Sequence, residues 1–265
     1  MRRVALMLLA VLAGPAASDA RAQQWVNLVF PNRDFNFGTV AKYSKVHHSF
    51  KVINTLDKEI HIATFRPKCG CTDVKLGASV IPPGTQTVIE AVVDTTKFVG
   101  HKESGLTLVI DRPVFQEIDF RLTCFIRGDL TLNPGEVQFG VVNRASAKPG
   151  EMSLVYSGAQ SDWAVTKMQT LSPHVTAKLT EQPRSAAGTP VTYGLSVTLN
   201  PSAPVGILKD EITLFTNDAT SPTIPISVSA VVQSNVTVTP SVLAIGQVRA
   251  NETVERTVLV RSGQP

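Results

Sequence analysis

The chain has 265 residues, a formal net charge of +4 and 43% hydrophobic residues, enough apolar content for a sizeable core. Residues 1–22 contain Arg2, Arg3, Arg21 and Asp19, so their removal would lower the charge to +2. A nearly neutral chain with no clustered basic face gives no electrostatic case for binding nucleic acid or an anionic membrane surface.

In chain order, the first element is an export signal. Arg2 and Arg3 precede an apolar run from Val4 to Ala13, Gly14-Pro15 breaks the run, and Ala20-Arg21-Ala22 supplies a small-x-small cleavage pattern. The run is too short to cross a bilayer, which takes about 20 apolar residues, and no later run is long enough. Residues 1–22 are therefore expected to be a signal peptide. The mature chain is expected to begin near Gln23, to reach the periplasm or the extracellular medium, and to keep no integral membrane segment after cleavage.

The segments that follow have the period of strands. Ser49–Ile53, Thr87–Val93 and Ile118–Ile126 are short, largely alternating and rich in β-branched or aromatic residues, with Gly, Pro, Asn and Asp between them. In the last of these, Ile118, Phe120, Leu122, Cys124 and Ile126 share one face, and Asp119, Arg121 and Thr123 share the other. A strand with one buried and one wet face requires that division. Adjacent His47 and His48 point to opposite faces of such a strand, so they do not chelate together. Asp111-Arg112 and Asn217-Asp218 occupy matching positions between strands and read as turn chemistry.

An internal repeat sets the architecture. Leu130–Val142 matches Val236–Val248 at an offset of 106, and the same offset places Val99-Gly100 on Val205-Gly206 and Ile118–Leu122 on Ile224–Val228. Phe37-Gly-Thr-Val40 begins the first copy. About 100 residues per copy fits a sandwich of roughly seven strands. The expected fold is all-β, with tandem immunoglobulin-like β-sandwiches: domain 1 over 27–128, domain 2 over 129–233, and the start of a third, incomplete repeat over 234–265.

Phe35-Asn-Phe-Gly-Thr-Val40, His48-Ser-Phe50, Asn54, Pro67-Lys-Cys-Gly-Cys-Thr72, Ile81-Pro-Pro-Gly84 and Asp94 together resemble the family called domain of unknown function 1573. The resemblance covers the first copy closely and the second only in pattern. It implies a bacterial, often exported protein, similar in fold to the immunoglobulin-like ASH and major-sperm-protein domains. ASH-type domains act as structural or docking modules.

The cysteines Cys69, Cys71 and Cys124 form the one constellation that points to chemistry. Placing Cys69–Leu76 on Ser172–Leu179 shows that the second copy replaces both motif cysteines, and Cys124 falls on Ala230, so the fold does not need these thiols in every copy. Four readings stand for them. One is a structural disulfide, either within the motif or to Cys124. Another is free, partly buried thiols. The third is a soft metal of the copper type, held by Cys69 and Cys71 with help from His61, which lies out of phase with Ile60 and Ile62. The fourth is thiol–disulfide exchange. There is no phosphate-binding glycine loop, no His-Glu-x-x-His and no Gly-x-Ser-x-Gly elbow. The chain is therefore expected not to be an enzyme and to need no cofactor. It is expected to be an exported structural or protein-interaction module whose partner is an envelope or surface protein. The alternative is an extracytoplasmic copper-binding or thiol redox protein centred on the Cys-Gly-Cys motif.

Overall fold

The computed structural model describes residues 25–143, 149–186, 188–234 and 236–262; the predicted signal peptide and its cleavage site lie outside them. After a single helical turn at 25–29, the chain is made of strands. They are β1 (Asp34–Lys42), β2 (Lys45–Ile53), β3 (Ile60–Pro67), β4 (Thr72–Leu76), β5 (Val80–Ile81), β6 (Gln86–Asp94), β7 (Gly100–Arg112), β8 (Gln116–Asn133) and β9 (Val137–Asn143). There follow β10 (Gly150–Tyr156), β11 (Val165–Thr170), β12 (Val175–Glu181), β13 (Val191–Leu199), β14 (Gly206–Thr216), β15 (Thr223–Gln233), β16 (Val236–Thr239) and β17 (Leu259–Ser262). The all-β expectation holds, and each unit described below is a two-sheet sandwich.

The chain divides into two compact units. The first takes the residues up to Phe35, His48–Ala91 and Ser104–Leu122; the second takes Asn36–His47, Val92–Glu103 and the chain from Thr123 onward. These limits fall inside β1, β2, β6, β7 and β8, whereas the repeat reading drew 27–128 and 129–233 as continuous spans.

In the first unit, β8, β7, β3 and β5 are neighbours in one sheet, and β2, β6 and β4 form the other. Alternation supplies the core. Phe50 and Val52 from β2 and Ile89 and Ala91 from β6 are fully buried, as are Ile60, Leu106, Leu108, Ile110, Ile118 and Phe120 from the other sheet. Phe120 meets Phe50 edge-on at 4.8 Å and Phe30 at 6.0 Å. These aromatic contacts add directional packing to the area buried.

In the second unit, one sheet has the order β12-β13-β10-β8 and the other β11-β14-β15-β9, with β9 parallel to β15. Trp163 is fully buried at the centre of this core, stacked on Tyr156 at 4.6 Å and edge-on to Tyr193 at 6.1 Å. The third repeat begins as an antiparallel pair, β16 with β17.

The repeat is written into the backbone as well as the sequence. Gly38, Gly140 and Gly246, the glycines of Phe-Gly-Thr-Val, Phe-Gly-Val-Val and Ile-Gly-Gln-Val, all have positive φ, at 68°, 66° and 74°. A Cβ at any of the three would meet nothing within 4 Å, so only the left-handed backbone requires glycine there. Gly140→Ala is expected to cost about 1 kcal/mol, measured by urea unfolding. A loss above about 3 kcal/mol would show that contacts, and not φ, fix this residue.

Candidate functional site

The Cys-Gly-Cys motif forms the turn that joins β3 to β4. Pro67 ends β3, because it lacks an N–H for the ladder. The Lys68 N–H then donates to the Gly105 carbonyl of β7 at 2.9 Å, and the Thr72 N–H donates to the Cys69 carbonyl at 3.3 Å. The turn is tight enough to bring the two Cα atoms within 5.3 Å, and Cys69 and Cys71 are joined by a disulfide. Gly70 at the tip has open space around it. Cys69 is half-buried and Cys71 is buried.

Donors converge on one of the two sulfurs. The Cys71 N–H donates to Cys69 Sγ at 3.2 Å, and Ser104 Oγ of β7 lies 3.0 Å from the same atom. Ser104 Oγ is also 2.6 Å from Thr72 Oγ1, and both hydroxyl residues are buried. A disulfide sulfur carries no proton, so the Ser104 hydroxyl donates to it and the Thr72 hydroxyl donates to Ser104. Cys71 Sγ is served less closely, with Ser104 Oγ at 3.8 Å and Thr72 Oγ1 at 3.9 Å. On the flank, Lys68 pairs with Asp119 at 3.0 Å. Asp119 is held below the usual carboxylate range, first by the Thr107 hydroxyl and then by Lys68.

The remaining candidates lie elsewhere. Cys124 is a free thiol buried on the core face of β8, so the pairing that links it to the motif is not formed. Burial pushes its thiol up to about 11, which leaves it protonated and unreactive at neutral pH. His61 sits near the start of β3, hydrogen-bonded to Asp111 at 2.6 Å, while the cysteines follow the far end of that strand. The six residue steps from His61 to Pro67 span about 20 Å of extended chain, so the proposed set Cys69, Cys71 and His61 is not brought together. Among the described residues, no group of three or more His, Cys, Asp or Glu could hold a metal. His48 stacks on Phe35 at 3.6 Å, and His47 bonds Glu136 at 2.9 Å, so the two do not act as a pair.

The second unit contains the same turn without sulfur. Ser172 stands where Cys69 does, His174 where Cys71 does, and Asp210 where Ser104 does. The Leu171 N–H donates to the Glu211 carbonyl at 2.9 Å, as Lys68 does to Gly105. The His174 N–H donates to Ser172 Oγ at 3.2 Å, the distance from the Cys71 N–H to Cys69 Sγ. The Ser172 hydroxyl donates in turn to Asp210. Backbone and side-chain hydrogen bonds therefore hold this turn without a covalent link. Ser104 and Thr72 were not among the residues singled out from sequence. The 106-residue offset places Ser104 on Asp210, but only the structure shows that both face the turn.

Fold and turn together define a tandem β-sandwich protein with a disulfide-closed Cys-Gly-Cys turn in its first unit. Residues 28–121 match the family described as Protein of unknown function (DUF1573). No curated protein matches the chain. Solved structures similar to it include a protein of unknown function from Porphyromonas gingivalis W83, 13% identical, covering 75% of this chain and 96% of that one with a TM-score of 0.31. Another is the N-terminal Ig1-2 module of Drosophila Receptor Protein Tyrosine Phosphatase DLAR, 12% identical, covering 75% of this chain and 94% of that one with a TM-score of 0.28.

Proposed function

We propose that the chain is an exported, non-enzymatic module that binds an envelope or surface protein through the outer face of the β14-β15-β9 sheet. One observation carries this reading. Ile207 of β14 pairs with Val231 of β15, and Val231 pairs with Val141 of β9. All three are exposed, at 76%, 41% and 63%. The ladder beside them is polar, with Lys209, Ser229 and Gln138 in register. Contiguous apolar residues on a wet sheet face mark interaction surfaces. Val205, also exposed, lies just before β14.

Export is supported by the signal-like leader and by the Cys69–Cys71 disulfide, since such bonds persist in oxidising compartments. The binding test is site-specific crosslinking from the sheet face in an envelope fraction, with wild type compared to the double variant Ile207→Lys, Val231→Lys. Wild type is expected to give a discrete adduct that the double variant loses. An identical adduct pattern from both, or none from wild type, would remove this face as the binding surface. Intact mass of the mature chain tests export, with a start near Gln23 expected.

A further inference from the structure

We infer that Cys69–Cys71 is an exchangeable dithiol–disulfide site, with Cys69 as the sulfur that forms the mixed disulfide with an external thiol. This inference is independent of the binding role argued above. Three observations carry it.

The first is that the bond is dispensable to the turn that contains it. The Ser172–His174 turn has the same backbone bond to the neighbouring strand and the same 3.2 Å N–H contact, with an oxygen in place of sulfur. A bridge between residues two apart also closes almost no loop, so it removes little freedom from the unfolded chain. Breaking it leaves the turn its hydrogen bonds.

The second observation is the asymmetry between the sulfurs. Cys69 is half-buried beside the open Gly70, and Cys71 is buried. An incoming thiolate reaches Cys69 first. That is the arrangement of an exposed exchanging sulfur backed by a resolving one.

The third is the polarity of the surroundings. Where the second unit places the carboxylate of Asp210 against Ser172, the first places the hydroxyl of Ser104 against Cys69. A carboxylate would repel a thiolate at Cys69. A buried hydroxyl, itself supported by Thr72 and joined by the Cys71 N–H, donates to one. Hydrogen bonds to the charged form favour it, so the site is built to accommodate Cys69 as a thiolate.

The exchange balances as follows. One thiolate of a dithiol attacks Cys69 Sγ, the S–S bond breaks, and Cys71 leaves as a thiolate that takes a proton from water. The second thiol of the reagent loses its proton and attacks its own sulfur in the mixed disulfide, releasing Cys69 as a thiolate. The reagent departs as a disulfide, having given two electrons to the protein. Run backward, Cys69 attacks an external disulfide and Cys71 resolves the adduct.

The test uses the folded full chain. Native wild-type protein is equilibrated in buffers of reduced and oxidised glutathione at neutral pH, alkylated and weighed, with far-UV circular dichroism recorded on each sample. The pair is expected to titrate between its two states without denaturant and with an unchanged spectrum. If it stays oxidised until denaturant is added, or if reduction unfolds the chain, the bond is a structural staple and the inference fails. On reduced protein, Ser104→Asp, which copies the second unit, is expected to slow alkylation of Cys69 at neutral pH about tenfold, the effect of raising a thiol pKa by one unit. Ser104→Thr should keep the wild-type rate. Equal rates for Ser104→Asp and wild type would overturn the role given to the hydroxyl. Cys71→Ser is expected to trap a one-to-one glutathione adduct on Cys69, and no adduct on Cys69 would also overturn the inference.

Discussion

Replacing Gly105 with alanine is expected to destabilise the chain by about 3 kcal/mol or more, which would be the largest effect of any single methyl group in the first unit. Gly105 is buried in β7, with φ at 154°. A Cβ there would overlap the Phe120 carbonyl oxygen, with the Phe120 carbonyl carbon at 3.0 Å and the Arg121 Cα at 3.3 Å close behind. Backbone cannot rotate out of the way as a side chain can, so β7 and β8 must separate. Overpacking in a well-filled core typically costs 1–3 kcal/mol when side chains absorb it, and here the ladder itself must yield. The strain passes in two directions. Phe120 carries the aromatic contacts to Phe50 and Phe30, and the Gly105 carbonyl anchors the Cys-Gly-Cys turn through Lys68. Gly140→Ala, where a Cβ meets open space, is the control. Urea unfolding of both variants separates the cases: a loss at Gly105 no larger than that at Gly140 would mean that the strands part easily.

That contrast marks how far sequence alone reached. Strand period was legible: Ile118, Phe120, Leu122, Cys124 and Ile126 are all buried, as their alternation predicts. The repeat was legible too, and its Phe-Gly and Ile-Gly positions share a positive φ. Alternation fails where the backbone departs from regular pleat. Ser104, Gly105 and Leu106 are buried in succession, which no period of two anticipates, and they include the hydroxyl and the glycine that shape the cysteine turn. In the exposed row, Val141 follows a register shift in β9 opposite Ser229 and Val231, so that Val137 is buried and Val141 exposed, a change of facing that leaves no mark in composition. The site partners were hidden by distance along the chain, since Cys69 and Ser104 lie 35 positions apart. Reading Asn217-Asp218 as a turn captured half of its role. Asp218 Oδ1 does accept from the Thr220 N–H at 2.8 Å, but its second oxygen pairs with Arg127, 91 residues earlier.

That pair gives the other large effect: Arg127→Met is expected to cost about 3 kcal/mol near neutral pH, and the loss should shrink as the solution is acidified. The Arg127 guanidinium bonds Asp129 through two nitrogens at 2.9 and 2.6 Å, reaches Asp218 and Thr220 through a third, and lies over the Tyr156 ring at 5.6 Å. Its side chain is 11% exposed, and that of Asp218 is 8%. Methionine keeps the length and apolar stem but leaves Asp218 buried without its cation, and an orphaned buried charge is the expensive half of a broken pair. In the wild type, Asp129 and Asp218 are held below the usual carboxylate range. For Asp129 the main cause is the bond from Arg127; for Asp218, bonds from Thr220 and Arg127 outweigh its burial. Depressed folded values mean stability that is fully present above the ordinary carboxylate pKa, about 3.9, and lost as pH falls through the lowered ones. In Arg127→Met the burial of Asp218 acts with less opposition and raises its pKa, so protonation relieves the folded state on acidification. The two stability curves should therefore diverge at pH 7 and converge toward pH 3. Urea midpoints measured across that range decide the matter: a gap of constant size at every pH would mean that Arg127 holds this corner by packing on Tyr156 and not by charge.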